Sequence, residues 1–373
     1  MRPANILHLG IKELRSLLRD RIMLVLIVYA FTISVYTAAT AMPETLNKAP
    51  IAVVNEDRSP LSWRIVSAFY PPYFLPPALI TQAEMDARMD AGLDTFALDI
   101  PPDFQRDVLR GRRPTIQLNV DATRITQAFT GSGYIQTIVE GEVRAFTQRY
   151  RSVAEPPVGL ALRARFNPQF NKSWHGAIME VIDNVTILSI VLTGAALIRE
   201  RERGTVEHLL VMPVTPFEIM TSKVWSMGLV VLAATAFALV FVVQSWLAVP
   251  IQGSLVLFLA GTALHLFATT SMGIFLSTVT RSMPQFALSL LLVLLPLQML
   301  SGASTPRESM PVAVQYIMLV APNTHFVMLA QSILYRGAGI TAVWPQFAAI
   351  VLIGVVLFTL ALGRFRKTIG MMA

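Results

Sequence analysis

Near the N-terminus the apolar residues Leu7, Ile11, Leu14 and Leu18 recur at helical spacing, with Lys12, Glu13, Arg15 and Arg19 set against them. That period predicts an amphipathic helix over 1–21 lying in a membrane interface. Apolar runs of another kind follow. A helix needs roughly 20 apolar residues to cross a hydrocarbon layer about 30 Å thick, and six segments come to that length: 22–42, 178–198, 224–247, 254–278, 285–302 and 343–363. The pattern predicts an α-helical polytopic membrane protein with six transmembrane helices, an N-terminal interfacial helix and an inserted domain after the first span.

The insertion, 43–177, has a different texture. IAVVNED is a β-branched run ending in turn formers, and TIQLNVD alternates like a strand. Residues 82–92 and 103–111 have helical spacing, DIPPDF marks a turn into a helix starting near Pro102, and GSGYIQTIVEGEVRAFTQRYR reads as a further helix. PPYFLPP reads as a rigid turn. The segment is predicted to be a mixed α/β domain, large enough to hold its own core.

Composition sharpens this division. The chain is 54% hydrophobic and 14% charged, against about 25% charged in ordinary soluble domains. Between Pro43 and His175, however, stand 15 Lys/Arg and 14 Asp/Glu, a surface meant for water. Cationic residues collect on the cytoplasmic side of a membrane. With the N-terminus inside, Arg2, Lys12, Arg15, Arg19, Arg21, Arg199, Arg201, Arg203, Lys223, Arg281, Arg364, Arg366 and Lys367 all fall there. The outer loops near 248–253 and 303–342 keep only Arg307 and Arg336. Both termini are therefore expected in the cytoplasm and 43–177 outside. Ala39-Thr40-Ala41 has the spacing of a signal-peptide cleavage site, but the long apolar run and the patterned leader favour a retained span. The chain has no cysteine, which excludes disulfides and thiol-based metal or redox sites. Its net charge of +7 comes with no nucleic-acid-binding motif.

Between the second and third spans stands IRERERGTVEHLLVMPVTPFEIMTSK. Gly204 can end the preceding helix, and Thr205 can cap a new one with Val206, Leu209 and Leu210 on one face and Pro213 as its stop. Thr215-Pro216-Phe217-Glu218 then spells a capping box leading into the third span. Arg199, Arg201 and Arg203 could simply anchor the second span. The interleaved Glu200, Glu202 and Glu207 could be a solvated face or a docking element, and on chemistry alone both readings stand.

The run RERERGTVEHLLVMPVTPFEIMTSK closely resembles the loop after the second span in ABC-2-type transporter permeases, the membrane halves of ATP-driven exporters. The interfacial leader, the insertion after span one, and the outer SGASTPRESMP and APNTHFVMLAQSILYRG segments extend the resemblance along the chain. The likeness is to bacterial members with a large periplasmic domain. It implies a coupling helix at 204–213 that docks on a separate ATPase subunit, with Glu200, Glu202, Gly204, Thr205, Glu207, Leu210 and Pro213 in the coupling element. It also implies outer capping helices within 303–342, Pro311 starting one and Asn323-Thr324 near the start of the other. A second permease copy or paralogue, an inner-membrane location, a periplasmic adaptor and an outer-membrane channel are implied in the same way. No phosphate-binding G-x-x-x-x-G-K-[ST] loop occurs here, so ATP and Mg are expected to act in the partner and the chain is expected to bind no cofactor.

Ionisable groups within spans are costly and so draw functional suspicion. Asp183 is read either as facing a substrate path or dimer seam, or as a residue wetted from the outer side. Glu180 is read as sitting at the interface. His265 is a path candidate or a neutral imidazole bonded to a neighbouring helix, and Gln298 a path candidate or interhelical glue. None has metal-ligand spacing. The implied function is export of a hydrophobic or amphipathic compound, a drug-like molecule or a lipid. The alternative is a membrane-anchored receptor or scaffold whose outer domain binds a ligand or adaptor without transport.

Overall fold

Asp20 divides the N-terminal amphipathic helix from the first apolar one. Helix α1 (Pro3–Arg19) ends as Asp20 turns extended, and the Asp20 carboxylate accepts the Met23 N–H at 3.2 Å, which caps α2 (Arg21–Tyr29). A π-helical turn, Ala30–Ser34, and α3 (Val35–Thr40) complete an apolar run from Arg21 to Thr40. The structure is a computed structural model and describes residues 2–40, 46, 48–121, 125–150, 172–202, 214–303, 305 and 307–370. The chain forms two compact units, Met1–Met42 with Ala164–Ala373, and Pro43–Arg163.

The inserted unit is built on a four-stranded sheet in the order β2-β1-β3-β4, where β1 is Ile51–Asn55, β2 Ala78–Leu79, β3 Phe96–Ile100 and β4 Gln117–Val120. Strand β1 pairs parallel with β2 and β3, and β3 pairs antiparallel with β4, with Val53 opposite Leu98 in register. The two-residue period of the strands separates the faces. Ile51, Val53, Phe96 and Leu98 join a core with Leu61 and Ile65 of α4 (Pro60–Ser67) and Ile135 of α7 (Ile125–Tyr150). Ala52, Val54 and Ala97 face Met85 of α5 (Gln82–Asp90) on the other side. Three features differ from the sequence reading. FALDI is the central strand β3, so the turn expected at DIPPDF is half strand. Helix α6 (Phe104–Leu109) begins later than Pro102, after Asp103 at φ 62°. Helix α4, capped by Ser59, went unread.

Helix α8 (Lys172–Glu202) supplies the second apolar span, longer at both ends than 178–198 because its polar termini continue the helix past the apolar core. Thr215 caps α9 (Pro216–Phe237) through the Glu218 N–H while the Glu218 carboxylate accepts the Thr215 N–H at 2.9 Å, the capping box expected from the sequence. The third span therefore starts at Pro216 rather than near 224 and runs through a π-helical stretch to Trp246. Next come α10 (Leu255–Val279) and α11 (Met283–Leu300), then α12 (Val312–Met318) and α13 (Pro322–Ala330), and finally α14 (Ile340–Gly370). Helix α12 and the segment Pro322–Tyr335 are bent by 92° from one another, and among the described residues six helical segments are long and apolar enough to cross a membrane. Helix α10 lies at the centre, packed on α8, α9, α13 and α14. Its contact with α8 is backbone to backbone at Gly273, where a Cβ would stand 2.6 Å from the Ile190 carbonyl oxygen. The N-terminal α1 lies against α9: a Cβ on Gly10 would fall 2.0 Å from the Trp225 ring, whose Nε1 donates to the Ile6 carbonyl at 3.2 Å.

Candidate functional site

At the charged end of the membrane unit, α1, α8 and α9 converge on one buried cluster. Lys223 of α9 is 1% exposed, and its Nζ lies 2.8 Å from Glu200 Oε2 of α8 and 3.1 Å from Glu13 Oε1 of α1. Lys12 Nζ completes it, 3.0 Å from Glu200 Oε1 and 3.6 Å from Glu13. A charge this deep is tolerated only when paired, since removing it from water costs several kcal/mol (about that per ion). Burial alone would lower the Lys12 pKa, but Glu200 and then Glu13 overcome this and hold it above the usual lysine value.

The neighbouring charges are each committed to a different element. Arg199 pairs with Asp20 at the α1–α2 corner. Against the opposing effect of burial, the Met23 N–H and the Arg199 guanidinium hold the Asp20 carboxyl below its usual range. Arg201 donates to the carbonyls of Ser277 at 3.2 Å and Thr280 at 2.6 Å, a cation on the C-terminus of α10. Glu202 accepts the Met283 N–H at 2.9 Å, an anion on the N-terminus of α11. Arg2 N–H donates to Glu218 at 2.8 Å, tying the chain start to α9. Glu200 and Glu202, expected in the coupling element, thus each hold a partner on another helix of the chain. Gly204, Thr205, Glu207, Leu210 and Pro213 lie outside the described residues.

A second polar constellation lies among the spans. Thr186 of α8, His265 of α10 and Asn323 of α13 are fully buried. The Thr186 hydroxyl stands 2.9 Å from His265 Nε2 and 2.8 Å from Asn323 Oδ1, and Asn323 Nδ2 donates to the Leu297 carbonyl of α11 at 3.1 Å. A hydroxyl has one proton. If it goes to Asn323, then His265 must donate from Nε2, which leaves Nδ1 as a bare acceptor. Nδ1 is in fact buried without a hydrogen-bond partner among the described residues, and the donors run His265, Thr186, Asn323, ending on the Leu297 carbonyl, which accepts. The His265 ring also stacks on Phe326, centroids 4.0 Å apart and 8° from parallel. One turn along α8, Ser189 donates to Thr269 at 2.6 Å. His265 is therefore bonded to a neighbouring helix, and Asn323 joins α13 to α8 and α11; the Gln298 side chain, a path candidate or interhelical glue, makes no hydrogen bond among the described residues.

Asp183 lies three residues before Thr186 on α8, eleven residues past the helix start at Lys172. Its Oδ1 is shielded from solvent and has no hydrogen-bond partner among the described residues. Glu180 is not a loose interfacial group: it accepts from Ser34 in the π turn of the first span and from Asn184 Nδ2 at 3.3 Å, while Asn184 also donates to the Ala30 carbonyl at 2.8 Å. Thr186, Asn184, Asn323, Glu13 and Lys223 went unnoticed as site residues in the sequence. An Asn within an apolar run was the one signal that could have found two of them. Among the described residues no group of three His, Asp or Glu side chains is placed to hold a metal.

Comparison with known proteins shows which family the chain belongs to. Residues 21–362 match the family described as ABC-2 family transporter protein. The chain is 64% identical over 369 residues to the inner membrane transport permease YhhJ of Escherichia coli strain K12, covering 99% of each. It is 24% identical over 364 residues to the probable multidrug ABC transporter permease YbhR of the same strain, covering 96% of this chain and 97% of that one. To the probable multidrug ABC transporter permease YbhS it is 26% identical over 336 residues, 88% of each. The chain belongs to the ABC-2 transporter family and is a multi-pass membrane permease subunit of an ABC transporter.

Proposed function

We propose that this permease exports a hydrophobic or amphipathic compound, a drug-like molecule or a lipid, from the cytoplasm or the inner membrane, driven by ATP and Mg in a separate ATPase subunit. The observation that carries the reading is the Lys12–Glu13–Glu200–Lys223 cluster. It fastens α1, α8 and α9 together on both flanks of the 203–213 segment, so a load applied to that segment moves two spans and the N-terminal helix as one. The multidrug names of YbhR and YbhS support a drug-like substrate. Two permease chains work with two ATPase subunits, both termini are cytoplasmic, and the inserted domain faces the periplasm, where it meets an adaptor leading to an outer-membrane channel. Asp183 faces the substrate path between the two permeases.

The test uses inside-out membrane vesicles carrying the permease with its ATPase. ATP-dependent uptake of a hydrophobic fluorescent dye is expected, and Glu207→Lys should lower both uptake and permease-stimulated ATP hydrolysis by reversing a rim charge. ATP hydrolysis unaffected by the permease, or a normal level in Glu207→Lys, would sink coupling through this segment. Single cysteines at Ser59 and at the exposed Ser16 check the orientation: an impermeant thiol reagent should label the first from outside intact cells and leave the second untouched until the membrane is opened.

A further inference from the structure

Where α1 meets α2 and the last turn of α8, the membrane unit holds an open cavity of about 1100 Å³. Its floor is apolar, made by Leu17, Met23, Ala196 and Met227, with the exposed Ile22 at its mouth. Its rim holds five cations, Lys12, Arg15, Arg19, Arg21 and Arg199, against the three carboxylates Glu13, Asp20 and Glu200. All three carboxylates are already matched: Asp20 by Arg199, and Glu13 and Glu200 by Lys223 and Lys12. Arg15, Arg19 and Arg21 are exposed and form no ion pair or hydrogen bond among the described residues. Arg15 and Arg19 are one helical turn apart, so they present their guanidinia together.

Beyond the cavity, Ile22, Val25, Leu26, Val28, Tyr29, Ile33 and Tyr36 of the first span are all exposed, a broad apolar stripe leading away from the rim. Uncompensated guanidinia above an apolar floor, opening onto a stripe that faces lipid, are complementary to a molecule with an anionic head and a long apolar tail. Guanidinium groups match phosphate oxygens in geometry as well as charge. A free anion would use the arginines but has no use for the floor or the stripe, and an apolar stripe along a membrane-spanning helix suits an acyl chain.

We infer that this cavity is a binding site for an anionic phospholipid, its phosphate held by Arg15, Arg19 and Arg21 and one acyl chain lying along Ile22, Leu26 and Tyr29. The inference needs only that the chain lies in a membrane, so it stands apart from export and from coupling to the ATPase. The bound lipid completes the seam between α1 and the first span.

The experiment is native mass spectrometry of the detergent-purified chain titrated with phosphatidylglycerol or with phosphatidylcholine. Wild type should retain phosphatidylglycerol and not phosphatidylcholine, and the set Arg15→Gln, Arg19→Gln, Arg21→Gln should weaken retention at least about tenfold, given roughly 1 kcal/mol per basic residue at an anionic lipid surface. Arg15→Gln alone, on the exposed face of α1, should weaken it about fivefold and serves if the triple set does not fold. Equal retention by a folded variant and wild type overturns the site. So does displacement of the lipid by millimolar inorganic phosphate, which would make it a free-phosphate site, and so does a variant that keeps the lipid but loses the copurifying ATPase, which would make it a protein-docking surface.

Discussion

Thr186 and His265 meet at 2.9 Å between α8 and α10, and the hydroxyl can serve the imidazole because it hands its own proton to Asn323. Thr186→Val keeps the shape and removes both contacts, leaving a buried ring N–H and a buried amide oxygen without partners. A loss of about 2 kcal/mol is expected, between the modest value of an interhelical hydrogen bond in lipid and the larger cost of an orphaned polar group. Thr186→Ser should restore most of it. Thermal melting of the purified protein checks this, and a Val variant that melts with wild type would mean the donor chain carries no stability.

Lys223 is the hub of the charged cluster. Lys223→Met should cost about 3–5 kcal/mol, because Glu13 and Glu200 are then left facing each other with only Lys12 between them. Adding Glu13→Gln should recover part of that loss. A double-mutant cycle read from denaturation midpoints gives the coupling, and strictly additive losses would show that the two residues do not act as a pair.

At Asp183 the expected outcome concerns transport. Asp183→Asn preserves size and polarity, so membrane abundance should stay normal while export of a cationic compound falls, since the attracting charge is gone. Asp183→Leu should lose export of both cationic and neutral compounds. Export at wild-type level by both variants would remove Asp183 from the path.

The α8–α10 seam makes a steric prediction. At Gly273 an added methyl meets the Ile190 carbonyl, an atom that cannot swing aside as a side-chain tip would. Gly273→Ala should therefore cost about 1–3 kcal/mol as the two helices are forced apart, while Gly363→Ala, with open space around its Cβ, should not destabilise. Comparable melting temperatures for the two variants would contradict the close approach.

Hydropathy made the spans legible, because burial in lipid demands long apolar runs whatever their neighbours are. Thr215 to Glu218 was equally readable, since a capping box is complete within four residues. Strand β3 was not: Phe96, Ala97 and Leu98 are too few for a periodic signal, and the strand is made by pairing with β1 and β4 on either side. The site residues were hidden for a related reason. Thr186 and Asn323 are 137 positions apart, and Arg201 reaches carbonyls 76 and 79 positions away. One sequence says that such residues are polar but not which of them will face each other. The intrachain partners of Glu200 and Glu202 were hidden for the same reason, because Lys12, Lys223 and Met283 stand on other helices.

Gly10 and Trp225 also impose an order on biogenesis. Helix α1 leaves the ribosome well before α9, and the indole that fills the space beside Gly10, and the Glu218 that accepts the Arg2 N–H, are synthesised more than 200 residues later. Until the third span is inserted, α1 has only the membrane surface to rest on, and closing a loop of this length is the slow, non-local kind of contact. A nascent chain arrested before Pro216 should accordingly expose α1 to protease, and one arrested beyond α9 should protect it.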